Sequence, residues 1–203
     1  MHYLIRNFAL SALLGASTWA SAFDVPELAS MRTDFADLVP PQYQVELTPE
    51  IQEAMSMAIR SYPEVQALTE PEFLVVVNRH PDAQSMSVVV TDGQSVEYVT
   101  GHLNRKGYFQ TPIGIFENKR EFGNYRAQGT KNDNGVRGLG KKGMRVFDFG
   151  WQDSIASWGA RGPASIRLQM HATDPDLLEQ RLGSPASKGC VRIQTGVNTF
   201  IDT

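Results

Sequence analysis

The feature that most restricts how this chain can fold is a change of periodicity near residue 70. Downstream of it the sequence becomes a succession of short apolar, β-branched runs, and few helical patterns follow. Phe73-Leu-Val-Val-Val77 is the first run, and residues 85–90 and 96–100 flank Asp92-Gly93, a dipeptide suited to a tight hairpin turn. Residues 111–116, 144–149 and 165–170 are further strand candidates. Regularly spaced strands of this kind predict a mainly β domain over 71–203.

Residues 23–70 read differently, as a short helical N-terminal extension. Pro40-Pro41 interrupts the chain, after which Thr48 has the character of an N-cap, Pro49 of a first helical residue and Glu50 of a first-turn acid. Ile51, Ala54, Met55, Ala58 and Ile59 recur at helical spacing, and Pro63 ends the run. Such a stripe is expected to pack on the main domain.

The first residues look like a removable leader. Met1 to Arg6 carry one Arg and no acid, residues 8–14 are mostly apolar, and Ala20-Ser21-Ala22 fits an A-x-A cleavage site. The apolar run falls well short of the roughly 20 residues needed to span a bilayer, and no Cys near the cleavage point offers a lipid anchor. Residues 1–22 are therefore read as a signal peptide, with a mature chain starting at Phe23 and no membrane anchor. At 203 residues, 41% hydrophobic and 20% charged, the chain has the balance of one globular domain. A net charge of −3 argues against general nucleic-acid binding, which needs a strong basic excess.

Residues 117–145 form a glycine-rich basic stretch, with Lys119, Arg120, Arg126, Lys131, Arg137, Lys141, Lys142 and Arg145 against few acids. It reads either as a solvated, flexible loop or as a functional one. Within it, Gly135-Val-Arg-Gly-Leu-Gly140-Lys141 has the spacing of a phosphate-binding loop. The next residue is Lys142 where Ser or Thr should reach a magnesium ion, and no apolar strand leads in, so a nucleotide site is rejected.

Export changes the meaning of the single cysteine. An oxidising compartment favours paired cysteines, and Cys190 has none to pair with inside the chain. Its surroundings, Ser187-Lys188-Gly189-Cys190-Val191-Arg192, combine a glycine able to turn sharply with two cations able to favour a thiolate. Val191 and Ile193 alternate about Arg192 as in a strand leaving that corner. A buried inert thiol fits these neighbours poorly, and an intermolecular disulfide is the remaining structural reading. A nucleophilic thiol needs a base, and three histidines follow the leader. His80 lies in a turn-like segment and His102 ends a strand run. His171 closes Ile166-Arg-Leu-Gln-Met170, where Ile166, Leu168 and Met170 share one face and Arg167, Gln169 and His171 the other. A His on the polar face of a strand end is well placed for proton transfer.

His171, Leu182-Gly183-Ser184-Pro185 and Ser187-Lys188-Gly189-Cys190-Val191-Arg192 together resemble the signature of the L,D-transpeptidase (YkuD-like) catalytic domain. Val99-Thr100-Gly101 and Thr111-Pro112-Ile113-Gly114-Ile115-Phe116 are similar to its upstream elements, so the resemblance runs from about Phe73 to Ile193. Lys188 stands where the family commonly has His, Ala172 where it often has Gly, and the basic stretch looks inserted. The family continues past its Cys motif with a helix and a further strand, whereas this chain stops at Thr203.

The resemblance implies a β-rich catalytic domain that transfers peptidoglycan stem peptides through a Cys190 thioester, with His171 as base. It implies backbone donors near Gly189 and Cys190 for the oxyanion, and no metal or other cofactor. Ser187 would either orient the histidine or shape the turn, and Arg192 would either hold a substrate carboxylate or brace the loop. The acceptor would be the amine of a second stem or of a cell-envelope protein, in a periplasmic or wall-associated setting. A carboxypeptidase or amidase using water, and a wall-binding module with a dead site, are the alternatives.

Overall fold

The structure, a computed structural model, describes residues 2–6, 25–80, 84–103, 111–156, 162–183 and 189–203. The strands are β1 (His2–Arg6), β2 (Glu72–Asn78), β3 (Ser85–Thr91), β4 (Val96–Leu103), β5 (Ile115–Glu117), β6 (Tyr125–Arg126), β7 (Arg145–Ala156), β8 (Gly162–Ala172) and β9 (Val191–Ile193). The α-helices are α1 (Val25–Leu38), α2 (Pro49–Arg60), α3 (Pro63–Gln66) and α4 (Thr195–Asp202). Among the described residues the strands form two sheets, ordered β4-β3-β2-β1-β5 and β6-β7-β8-β9. The fold is thus mixed and sheet-dominated with few helices, in keeping with the mainly β reading.

The first sheet is buried on both faces. Phe73, Val75 and Val77 of β2, with Met86, Val88 and Val90 of β3, face Phe147, Phe149, Leu168 and Met170 of the second sheet. Leu74, Val76 and Val89 point the other way and meet Met55, Ile59 and Val65 of α2 and α3. Burial on both faces explains why these strands read as unbroken apolar runs and not as alternating ones. The β3–β4 hairpin turns at Asp92-Gly93, where Asp92 Oδ1 accepts from Gln94 N at 2.9 Å and Ser95 N at 2.7 Å.

The helical lead-in is part of the core. Leu28, Phe35 and Val39 are buried with α4 and both sheets, and the Phe35 ring meets Phe200 edge-on at 5.4 Å. Each such side chain contributes about 1.5–3 kcal/mol through burial. Thr48 caps α2 as expected, its side chain accepting from Ile51 N. The stripe differs from the sequence reading: Met55 and Ile59 are buried, whereas Ile51 and Ala54 are exposed. The helix stops at Arg60, and Pro63 opens the next short helix at its first position.

Three further differences bear on the site. Of the expected strand at 111–116 only Ile115–Glu117 pairs; Pro112 cannot donate to a ladder, and Thr111 is engaged elsewhere. The helix α4 follows β9 directly. His2–Arg6, inside the expected leader, forms β1, antiparallel to β2 and parallel to β5. A mature chain beginning at Phe23 would leave the β2 and β5 edges unpaired at that place. No helix among the described residues is long and apolar enough to cross a membrane.

Candidate active site

The site grows from the second sheet, along the polar face of β8. Leu168 and Met170 turn into the core, so Arg167, Gln169 and His171 lie on the opposite face. β9 runs parallel to β8, with Met170 opposite Val191 and His171 opposite Arg192. That register sets Cys190, one residue before β9, beside Gln169. His171 and the position beside Cys190 are therefore two residues apart along β8, on one face of the sheet. His171 and Cys190 both feel the charge of the same Arg192 guanidinium.

Gly189 makes the corner that presents the thiol. Its φ of +96° lies in the left-handed region that side chains resist. The Gly189 carbonyl accepts from Thr111 Oγ1 at 3.1 Å, and the Thr111 carbonyl accepts from Arg79 Nη1 at 3.0 Å. The two most distinctive sequence elements are thereby tied together immediately before the cysteine. Ser187 and Lys188 lie outside the described residues.

His171 is buried, not on an open polar rim as its strand position suggested. Its Nδ1 stands 2.7 Å from the Ala172 carbonyl. A carbonyl can only accept, so Nδ1 carries the proton and Nε2 is left as the base. Burial lowers the imidazole pKa to about 4, helped by Arg192 and opposed by the Ala172 carbonyl. Burial raises the Cys190 thiol, with Asp148 acting in the same direction, while the Gln169 backbone N–H and Arg192 favour the thiolate. The thiol also approaches the Arg167 carbonyl at 3.9 Å. At neutral pH the thiol and the imidazole are both neutral, so any attack by this thiol would need its proton transferred at the same time.

The His171 shift has a consequence for stability. A histidine whose folded pKa lies near 4, against about 6.5 when free, binds fewer protons folded than unfolded in that interval. Stability from this group is therefore full above pH 6.5 and falls as the pH drops towards 4, by about 3 kcal/mol. Urea unfolding at pH 7 and pH 4.5 checks this: the loss between them should shrink in His171→Gln. An equal loss in both proteins would refute it.

Residues that the sequence reading left unassigned brace the thiol. Asp148, fully buried, accepts from Arg167 Nε at 2.8 Å and Gln169 Nε2 at 2.9 Å through Oδ2, and from Gly150 N at 2.9 Å through Oδ1. Between Asp148 and Trp151 the β7–β8 register slips by one residue, so Asp148 pairs with Gln169 and Trp151 with Arg167. Asn124 Oδ1 accepts from Asp148 N at 3.0 Å, and Asn118 Nδ2 donates to the Asp148 carbonyl at 2.6 Å. Arg167 Nη2 donates to the Phe122 carbonyl at 3.0 Å. An acid inside the apolar run 144–149 was the available signal.

Arg192 is partly buried, and its Nε has no hydrogen-bond partner among the described residues. Such a cation beside a thiol suits a ligand carboxylate or carbonyl. His80 is exposed, and His102 lies on β4 with its backbone opposite Met86 and its side chain outside the described residues. The basic stretch is anchored: Arg126 pairs with Asp202 at 2.6 Å, and Arg137 pairs with Asp176 at 2.6 Å and the buried Asp174 at 3.4 Å. Lys131, Lys141 and Lys142 are exposed. Residues 135–141 are turns and bends around Arg137, which bridges to Lys131, without the strand and helix of a nucleotide loop. Among the described residues no group of three or more His, Cys, Asp or Glu side chains could hold a metal ion.

Searches of protein-family models and of curated proteins give no match to this chain.

Proposed function

We propose that this chain is the catalytic domain of an exported L,D-transpeptidase of the YkuD-like type, working on peptidoglycan in the periplasm or cell wall. The observation that supports the reading is the placement of three groups along β8 and β9, with Arg192 acting on both others. Cys190 sits on a glycine corner, His171 has its tautomer set by the Ala172 carbonyl, and Arg192 stands beside both.

The chemistry follows from those atoms. His171 Nε2 takes the thiol proton as Cys190 Sγ attacks the carbonyl between the L-centre of a diamino acid and a terminal D-residue. The Gly189 and Cys190 backbone N–H groups serve the oxyanion, and Arg192 steadies a carboxylate of the acyl part. The C–N bond breaks, the imidazolium returns its proton to the leaving amine, and a thioester remains. An acceptor amine then attacks, its proton passes to His171 and on to the departing sulfur, and a cross-link is formed. The acceptor is a second stem or a cell-envelope protein. No metal and no cofactor enters the scheme. Ser187 shapes the turn or orients the histidine.

Incubation with labelled stem tetrapeptides tests the reading through mass spectrometry of the products. Cross-linked dimer is the expected outcome. Trimmed monomer alone would make water the acceptor and the protein a carboxypeptidase or amidase. No acyl-enzyme and no product, with wall binding retained, would make it a binding module.

The neutral resting pair gives a second test. Alkylation of Cys190 by iodoacetamide should accelerate at pH values above the ordinary thiol range of about 8.5, without a plateau at pH 5–7. A plateau there would indicate a standing thiolate–imidazolium pair and would overturn the concerted scheme.

A further inference from the structure

On the side of Cys190 away from Arg192 the structure carries an arrangement that the reaction scheme does not use. Arg167 lies two residues before Gln169 on β8, and Gln169 stands beside Cys190. Two residues of strand set Arg167 about 6.6 Å along the sheet from the thiol position. Its side chain is 48% exposed and is fixed at two points: Nε donates to the fully buried Asp148 at 2.8 Å, and Nη2 donates to the Phe122 carbonyl at 3.0 Å. Nη1 makes no hydrogen bond among the described residues. The guanidinium is thus fixed through two of its nitrogens while half of the side chain remains exposed, a form that suits carboxylate recognition. Trp151, 68% exposed, is its direct cross-strand partner on the same face. An exposed indole beside a braced cation is a usual pairing in peptide-binding surfaces, with one group for apolar contact and the other for charge.

We infer that Arg167 and Trp151 form a specificity subsite that binds the free terminal carboxylate of the departing residue, Arg167 holding the charge and Trp151 packing the residue's apolar part. The inference rests on the transpeptidase reading, because it takes Cys190 to attack the carbonyl just before that residue. The geometry fits. A terminal carboxylate lies one residue, about 3.8 Å between successive Cα atoms, beyond the scissile carbonyl. With a charge-assisted hydrogen bond of about 2.8 Å added, the reach is about 6.6 Å, the strand offset of Arg167 from the position beside Cys190. Arg192 and Arg167 then grip the substrate on opposite sides of the thiol, one on the acyl part and one on the leaving part. Asp148 acts as a positioning residue, since it fixes the guanidinium without reaching the ligand.

The test uses two stem peptides that differ only in a C-terminal residue ending in a free acid or in an amide. Release of that residue is followed for the native protein, Arg167→Gln, Arg167→Lys and Trp151→Ala. The native protein should prefer the acid by about 10–100-fold in kcat/KM, the range of one good charge-assisted contact. Arg167→Gln should slow the acid peptide more than the amide peptide, so that the preference is lost. Trp151→Ala should slow both peptides while keeping the preference. A merely structural Arg167 would instead lower both rates by one factor together with the thermal midpoint. Should Arg167→Gln fail to fold, Arg167→Lys, which keeps a charge towards Asp148 but loses the planar fork, carries the same comparison. Native protein that processes both peptides equally would overturn this inference alone. Native protein that processes neither would overturn the transpeptidase reading beneath it.

Discussion

On the proposed transpeptidase reading, Cys190→Ala should lose acyl-enzyme formation altogether, and release of the terminal residue from a stem peptide should fall by about 10⁴-fold or more, as when a nucleophile is removed from a comparable acyl-transfer site. The change deletes the sulfur and nothing else that supports the fold. Cys190 is partly exposed, and its sulfur makes weak contacts, the approach to the Arg167 carbonyl at 3.9 Å and the Gln169 backbone N–H among them. Stability should therefore stay within about 1 kcal/mol of the native protein. Intact-protein mass after incubation with a stem peptide or a carbapenem separates the cases. The native chain gains the mass of one acyl group, whereas the variant gains none. A variant that still gains mass would show that another group is the nucleophile. The same experiment with His171→Gln should leave the thiol alkylable but slow its acylation, because the imidazole acts on the proton and not on the accessibility of sulfur.

Asp148→Ala is expected to destabilise the protein by about 3 kcal/mol, at the lower end of the cost of breaking a buried ion pair because Arg167 is half-exposed and can rehydrate. Three donors lose their acceptor at once: Arg167 Nε, Gln169 Nε2 and the Gly150 N–H. Gly150 and the half-buried Gln169 cannot all turn to water, and an unsatisfied donor costs about 1–3 kcal/mol. For a chain of this size the thermal midpoint should fall by about 6–12 °C. Asp148→Asn should fall less, since its amide oxygen still accepts from part of this donor set, although its amino group, itself a donor, cannot bond the rest. Thermal unfolding followed by circular dichroism at pH 7 reads both. A midpoint within about 2 °C of the native value for Asp148→Ala would mean that the network does not hold β7 to β8.

Much of this arrangement was legible in the sequence where a local rule and the tertiary structure agree. The β2 and β3 runs are apolar on both faces because a helix covers one side and the second sheet the other. Thr48 and Pro49 announced α2 because capping is decided within a single turn. The alternation from Ile166 to His171 gave the core face and the site face of β8. What it could not give was burial of His171, which depends on segments distant in sequence. Asp148 was passed over because its partners come from β8 and from residues 118–124, none of them adjacent. The helix α4 carries Gly196 in its first turn and is capped by Gln194, whose side chain accepts from Gly196 N at 2.6 Å and Val197 N at 3.2 Å. Gln is not among the residues that usually signal a helix start. The pairing of residues 2–6 between β2 and β5 leaves no mark on the charge and hydropathy from which the leader is read.

The imidazole at position 171 is steered by main chain, and that main chain has a neighbour. An added Cβ at Gly140 would stand 2.7 Å from the Ala172 Cβ, and Arg137, three residues earlier, clips the same segment to Asp174 and Asp176. The oxygen that sets the histidine's tautomer therefore belongs to a residue wedged beneath the glycine-rich stretch. Bulk added at either 140 or 172 pushes on that wedge and tilts the ring, so silencing can arrive from a position that touches neither sulfur nor imidazole. Conversely, size gained on one side is tolerable only if the other side retreats.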